Sequence, residues 1–225
     1  MRNNILFAVP TNDYILPRTN LAIAGICRRE DIEYISITGS PTDQVRNGLG
    51  REILARKELT HLMMMDSDAW PYRMDDAKMV DLLLDCNADV ATAITPISFK
   101  GKIFGNVVVK TDDDPDEHFI THWEDKTEPF EVLGTGCGCI LIKREVFEKT
   151  PWPWFRYLES EKEGARTGED VFFSIKIREH GFKIVTNPFA VCDHCKRIPL
   201  MSIVEAFNIQ RKHYESYIKS RQAIS

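Results

Sequence analysis

The chain has 225 residues, with 29 Lys and Arg against 34 Asp and Glu, for a net charge of −5. Hydrophobic residues make up 43% and charged residues 28%, the ordinary balance of a soluble globular domain, and the length is ample for one real core. The negative net charge excludes a chain whose main task is to coat nucleic acid, because phosphate binding needs a basic field. The charge is unevenly spread. Asp112, Asp113, Asp114, Asp116 and Glu117 form one acidic run, while residues 196–225 carry six bases (Lys196, Arg197, Arg211, Lys212, Lys219, Arg221) against Glu205 and Glu215.

Ile5 to Val9 is a continuous apolar run closed by Pro10-Thr11-Asn12-Asp13, the pattern of a strand buried on both faces. Between Arg18 and Arg29, Leu21, Ala22 and Ile26 fall at helical spacing. Ile32 to Thr38 alternates as a second strand, and Gly39-Ser40-Pro41 turns it into a helix with Val45, Leu49, Ile53 and Leu54 on one side, weakened locally by Gly48 and Gly50. His61 to Met65 is an apolar strand ending in Asp66-Ser67-Asp68, followed by a helix over about Asp75 to Cys86 and a strand over Asp89 to Ile94. Strand and helix thus alternate over the first 95 or so residues, as in a parallel sheet flanked by helices.

The second half reads differently. Lys102 to Lys110 and Phe119 to Trp123 are expected as antiparallel strands around the acidic run, with Glu131 to Leu133 after them. Cys139 to Ile142 is another strand, and Glu169 to His180 a helix whose apolar face includes Val171, Phe172 and Ile175. Two short strands, Phe182 to Val185 and Phe189 to Cys192, precede a last amphipathic helix over about Pro199 to Tyr217. The expectation is one domain over 1–225 with a nucleotide-sugar half (1–100), an acceptor-side half (101–198) and a C-terminal helix (199–225).

Neither a secretory leader nor a membrane span is expected, since the N-terminal apolar run is short and no stretch approaches the ~20 residues a span needs. The six cysteines (Cys27, Cys86, Cys137, Cys139, Cys192, Cys195) do not form the dense framework of a small secreted domain. A cytoplasmic protein with reduced thiols is the expectation.

In an open α/β sheet, ligands bind beyond the carboxyl ends of the strands, which is where Asp66-Ser67-Asp68 falls. Two carboxylates one residue apart there suit a hard divalent cation shared with a diphosphate. The plain alternative is a solvated turn before Trp70-Pro71.

With Asp-x-Asp after the third strand of an α/β half, the chain resembles the GT-A class of nucleotide-sugar glycosyltransferases, particularly the family-2-like group. The resemblance runs over residues 4–197 and rests on segments in order. Ile5 to Asp13, including Pro10 and Thr11, looks like the first strand and nucleobase loop. Arg46-Asn47 resembles the pair placed ahead of the Asp-x-Asp strand. Gly134-Thr135-Gly136-Cys137-Gly138 with Ile140 to Arg144 looks like the acceptor-side turn and strand, and Thr167 to Val171 like the segment supplying a catalytic carboxylate. Asp-Ser-Asp-Ala departs from the commoner Asp-x-Asp-Asp variants.

The resemblance implies a GT-A-like fold and transfer of a sugar from a nucleoside-diphosphate sugar to a hydroxyl acceptor, with inversion. It implies Mn²⁺ or Mg²⁺ held by Asp66, Asp68 and His194, and Asp170 as general base, with Glu169 structural or acceptor-binding. Pro10, Thr11, Asp13, Arg46, Asn47, Asp66, Ser67, Asp68, Gly136 and Lys196 are expected to contact the donor. Read as residues alone, Asp170 in a first helical turn also fits a capping role. His194 precedes Lys196-Arg197, which suits a charged diphosphate, and Asp193 is a substitute ligand.

Rival readings attach to several of these segments. Cys137, Cys139, Cys192 and Cys195 would make a four-thiolate zinc site if they converged. Trp152, Trp154 and Phe155 form either an acceptor platform or, the favoured reading, a packed loop. The acidic run lacks the ligand spacing and central glycine of an EF-hand loop and reads as a solvated hairpin tip. The last helix is expected to pack on the domain, with a peripheral membrane contact as the other option. Two further functions stand beside glycosyl transfer: nucleotidyl transfer, disfavoured because Pro10 to Arg18 has no glycine or lysine, and a non-catalytic carbohydrate- or protein-binding module.

Overall fold

A computed structural model describes residues 3–11, 14–39, 41–99, 102–110, 116–159 and 166–196, together with Val204, Asn208, Arg211 and Lys212. In chain order the first part holds β1 (Ile5–Thr11), α1 (Pro17–Ile26), β2 (Ile32–Thr38), α2 (Thr42–Ala55), β3 (His61–Met65), β4 (Ala69–Pro71), α3 (Lys78–Asp85) and β5 (Val90–Ile94). There follow β6 (Pro96–Phe99), β7 (Lys102–Gly105), β8 (Val107–Val109), β9 (His118–Phe119), β10 (Phe130–Val132), β11 (Gly134–Thr135) and β12 (Cys139–Lys143). The last elements are α4 (Arg144–Lys149), β13 (Leu158–Glu159), β14 (Arg166–Thr167), α5 (Glu169–Glu179) and β15 (Ile184–His194).

The main sheet has the order β10-β15-β5-β12-β3-β1-β2, with β4 attached to the end of β15. β1 pairs parallel with β2 and β3, β5 pairs parallel with β15, and β12 runs antiparallel between β3 and β5. Strands from both sides of residue 100 therefore share one sheet. Its apolar runs are continuous because both faces are covered. Leu6, Ala8, Leu62, Met64, Ile140 and Ile142 face α2, α4 and α5 through Leu49, Ile53, Phe147, Phe173 and Ile177. Phe7, Val9, Met63, Met65, Ala91 and Leu141 face α1 and α3 through Ala22, Ile26, Met79, Val80 and Leu83. The result is a mixed sheet between two helical layers, an α/β architecture.

Each of the expected strands and helices of the first 95 residues is present. Two helix faces of the chain, on α1 and α5, differ from the expected ones. Leu21 is exposed, while the expected Ala22 and Ile26 are buried together with Ile23. α5 buries Phe173 and Ile177 and exposes Ile175, because Phe173 stacks on Phe155 with centroids 4.5 Å apart. Gly50 has a packing purpose: a Cβ there would sit 2.8 Å from the Trp154 ring.

The second half departs further. The run from Lys102 to Lys110 breaks at buried Asn106 into β7 and β8, and β9 is only two residues long. β8 and β9 do pair antiparallel across the acidic segment, of which 111–115 lie outside the described residues. The two strands expected from Phe182 are one, β15, whose register against β5 shifts between Thr186 and Val191. Pro188 lies in that interval and has no N–H to give to a ladder. Helix α4 and the short strands β4, β6, β13 and β14 were not expected from the sequence. The C-terminal helix falls outside the described residues apart from Val204, Asn208, Arg211 and Lys212, which are helical. No described helix is long and apolar enough to cross a membrane.

Candidate functional site

The C-terminal ends of β1, β3 and β5 lie along one edge of the sheet, and the antiparallel β12 begins there with the glycine turn before it. A cleft of about 400 Å³ opens at this edge. It is lined by Pro10 and Thr11 from β1, Asp66 to Asp68 after β3, Gly136 to Gly138 before β12, Glu169 and Asp170 from α5, His194 at the end of β15 and Lys196 beyond it.

The path of β15 explains why His194 meets Asp68 across 126 positions of sequence. Beyond its register shift, β15 leaves β5 and pairs antiparallel with β4, placing Cys192 opposite Pro71 and His194 opposite Ala69. Cys195 N–H then donates to the Asp68 carbonyl at 2.9 Å. Asp66 is fixed by its own N–H, which donates to the Gly138 carbonyl at 3.0 Å. Asp66, Asp68 and His194 thereby offer three ligand atoms within 4.8 Å of one another, the one such group among the described residues.

The chemistry of this group suits a cation. His194 Nδ1 lies 2.9 Å from the Pro96 carbonyl, so a proton on that nitrogen leaves Nε2 facing Asp68 Oδ1 at 3.1 Å. Lys196 Nζ donates to Asp68 Oδ2 at 2.8 Å. Burial pushes the Asp68 carboxyl up, but the hydrogen bonds from His194 and Lys196 outweigh it and bring it down to about 2. Asp66 behaves oppositely: burial raises its pKa despite the charge of Arg46. Burial works against a charged His194, while Asp68 and the Pro96 carbonyl raise its pKa overall.

The other end of the cleft is organised by Arg46, buried on α2. Its Nη2 donates to Asp66 Oδ1 at 3.0 Å and its Nη1 to Glu169 Oε1, while its Nε has no partner. Glu169 is itself buried, so this guanidinium joins the first turn of α5 to the end of β3. Asp170 follows on α5. Burial raises its pKa, and neighbouring Glu169 adds to the effect.

Asp170 Oδ1 accepts from the Val171 N–H at 2.8 Å, so the capping role read from the sequence is present. Oδ2 is directed to the glycine turn, lying 3.4 Å from where a Cβ on Gly136 would stand. A Cβ on Gly168 would be 2.5 Å from Oδ1. Glycine at 168 thus makes room for this carboxylate.

Of the residues expected to contact a donor, Pro10, Thr11, Arg46, Asp66, Ser67, Asp68, Gly136 and Lys196 line the cleft, and Asp13 lies outside the described residues. Asn47 is a correction. Its Oδ1 accepts from the Trp154 and Phe155 N–H groups at 2.9 and 3.2 Å, and its Nδ2 donates to the Asp43 and Phe155 carbonyls at 2.8 and 2.7 Å. With its amide fully occupied on the far side of α2, Asn47 holds a loop and does not face the cleft. The four-thiolate arrangement is not formed either: Cys137 packs in the core on one side of the sheet, Cys139 and Cys192 on the other, and Cys195 is exposed. Trp154 and Phe155 are buried as a packed loop requires, whereas Trp152 is not.

Sequence reasoning did not single out Asn106, which stitches the cleft wall together. Its Oδ1 accepts from Thr95 N–H at 2.8 Å, its carbonyl accepts from Gly136 N–H at 2.9 Å, and its Nδ2 donates to the Gly136 carbonyl at 3.2 Å. The signal available was the Gly105-Asn106 pair inside a strand pattern, a local break.

No family model and no curated protein sequence matches the chain. Solved structures do. The crystal structure of A197 from STIV matches with a TM-score of 0.52 and 23% identity over 87% of this chain and 98% of that one. The crystal structure of GalNAc-T7 with UDP, GalNAc and Mn²⁺ matches with a TM-score of 0.53 and 12% identity, over 87% of this chain and 43% of that one. At these identities the likeness shows the fold: a single mixed α/β domain, structurally similar to a GT-A glycosyltransferase.

Proposed function

We propose that this chain is a metal-dependent glycosyltransferase that moves a sugar from a nucleoside-diphosphate sugar to a hydroxyl acceptor with inversion. The observation that carries this reading is the convergence of Asp66, Asp68 and His194 at one end of a cleft whose other end holds Asp170. Two carboxylates and an imidazole, with an ammonium already seated on one of them, make a donor set for Mn²⁺ or Mg²⁺. Such an ion would supply Lewis-acid stabilisation of the charge that develops on the departing diphosphate.

The residues of the chain account for the remaining work. Lys196 adds a positive charge at the diphosphate end, and Arg46 holds the Asp66 carboxylate in place from behind. Asp170 accepts the proton of the attacking hydroxyl as its oxygen bonds to the anomeric carbon and the bond to the diphosphate breaks. A carboxylate with a raised pKa is better matched to that task than an ordinary one. Gly136 and Gly138 line the wall of the cleft, the latter packed where a Cβ would stand 2.8 Å from the Thr95 side chain.

The direct experiment is incubation with Mn²⁺ and a panel of uridine, guanosine and cytidine diphosphate sugars. Metal-dependent hydrolysis or transfer with one donor is expected. If none of these donors is turned over and none raises the melting temperature, the proposal fails.

A further inference from the structure

The loop between α4 and β13 is tied down from several directions. Besides the bonds from Asn47, the Trp154 indole donates to the Thr150 carbonyl at 2.8 Å and Lys176 Nζ to the Pro153 carbonyl at 2.8 Å. Trp154 and Phe155 are buried in the core, yet Trp152 on the same loop is 58% exposed. The Arg51 guanidinium sits 5.3 Å from the centre of its ring. A large aromatic ring is thereby held out to solvent on a loop fixed by hydrogen bonds.

Beside this ring runs a groove of about 550 Å³, walled by Asp43, Gln44, Arg51 and Arg156. Asp43 and Arg156 also line a second hollow of about 500 Å³, together with Tyr157 and Glu159. Thr42, next to Asp43, lines the cleft, and Tyr157 hydrogen-bonds both Thr42 and Glu169. Asp43 and Arg156 are thus shared by the groove beside Trp152 and a hollow whose Tyr157 reaches Glu169 at the start of α5.

We propose that this groove is a saccharide-binding subsite, in which a pyranose ring of an oligosaccharide acceptor packs on Trp152 and its hydroxyls bond Asp43, Gln44 and Arg156. The proposal rests on the glycosyl-transfer reading of the cleft for its role, though not for its geometry. A sugar ring presents an apolar C–H face to an aromatic ring, and hydroxyls around its rim that need both donors and acceptors. The groove supplies a ring together with carboxylate, amide and guanidinium groups at its border. Two arginines offset by Asp43 do not make the continuous basic track that a nucleic acid strand requires.

The test measures binding of malto-, cello-, manno- and chito-tetraose to the whole protein by calorimetry and saturation-transfer NMR, with binding of UDP, GDP, CDP and Mn²⁺ measured in parallel. Wild type and Trp152→Ala are compared, with Gln44→Ala as a second variant and the melting temperature of each as a folding control. At least one tetraose is expected to bind, about tenfold more weakly in Trp152→Ala, the order that loss of one aromatic contact gives. Nucleotide and Mn²⁺ binding should be the same in all three proteins. Absence of binding by every tetraose, or binding that neither variant weakens, overturns the subsite. Saccharide binding lost in Trp152→Ala, with no nucleotide bound by any of the proteins, upholds the subsite and overturns the transfer reading instead.

Discussion

Two carboxylates of the cleft, Asp68 and Asp170, are treated in opposite ways by their surroundings. At one end Asp68, half-buried, is flanked by His194 and Lys196 and held at about 2, ionised whenever the protein is folded near neutrality. At the other end Asp170 stands beside a second acid with its pKa raised by burial, and the nearest base, Arg46, is committed to Asp66 and Glu169. Two acids of one cleft are thus pushed apart in proton affinity by their surroundings. In the proposed reaction the first keeps its negative charge for a cation and the second takes a proton.

The contrast can be broken most severely at the proton-accepting end. Asp170→Asn keeps the shape of the side chain and removes the base, so transfer should fall by about 10²–10⁴-fold, the usual worth of a general base. Binding of nucleotide and metal, measured by calorimetry, should be retained. If nucleotide binding falls with activity, Asp170 belongs to the donor end and the division is wrong.

Arg46 is what holds the two ends in register. Arg46→Met removes the one cation between Asp66 and Glu169 and leaves both acids facing each other in a largely dry setting. Breaking a buried pair on one side costs about 3–5 kcal/mol, so a large loss of stability is expected in chemical denaturation. Adding Glu169→Gln to Arg46→Met should recover part of it. Additive losses would show that the two residues are not coupled.

The smallest effect concerns a group outside the cleft, and so tests whether acid sensitivity comes from the site. His61 is half-buried, and burial, helped by Lys143, lowers its pKa to about 4. Its folded-state pKa is below the unfolded one, so between about pH 6.5 and 4 the unfolded chain binds more protons. Stability should fall as pH drops through that window, by about 1–2 kcal/mol after allowance for partial exposure. His61→Gln should flatten that part of the stability profile. An unchanged profile would assign the acid loss to other groups.

The α/β part of the fold was legible because its strands carry unbroken apolar runs and its helices apolar stripes, local signals set by burial on both faces. Asp66 and Asp68 were legible from the same logic, as acids where a buried strand meets the open edge, whereas Asp170 read locally as a cap and stood out only through the resemblance. What was not legible depends on pairings between distant segments. Asn47 and Arg46 are neighbours in sequence, but the helical turn sends one to the Trp154 loop and the other into the cleft, and no local pattern tells which. Likewise β15 reads as two strands, because Pro188 interrupts it. Only its pairing with the three-residue β4 delivers His194 to Asp68.

The most direct measurement is a Mn²⁺ titration of the purified protein in the presence of UDP, followed by electron spin resonance, for wild type, Asp68→Ala and His194→Ala. One ion per chain is expected in the wild type. Each variant should bind it more than about tenfold less tightly, since even outer partners of a metal ligand are worth that much. Mn²⁺ bound equally well by all three proteins, or by none, would contradict a metal centre built from Asp66, Asp68 and His194.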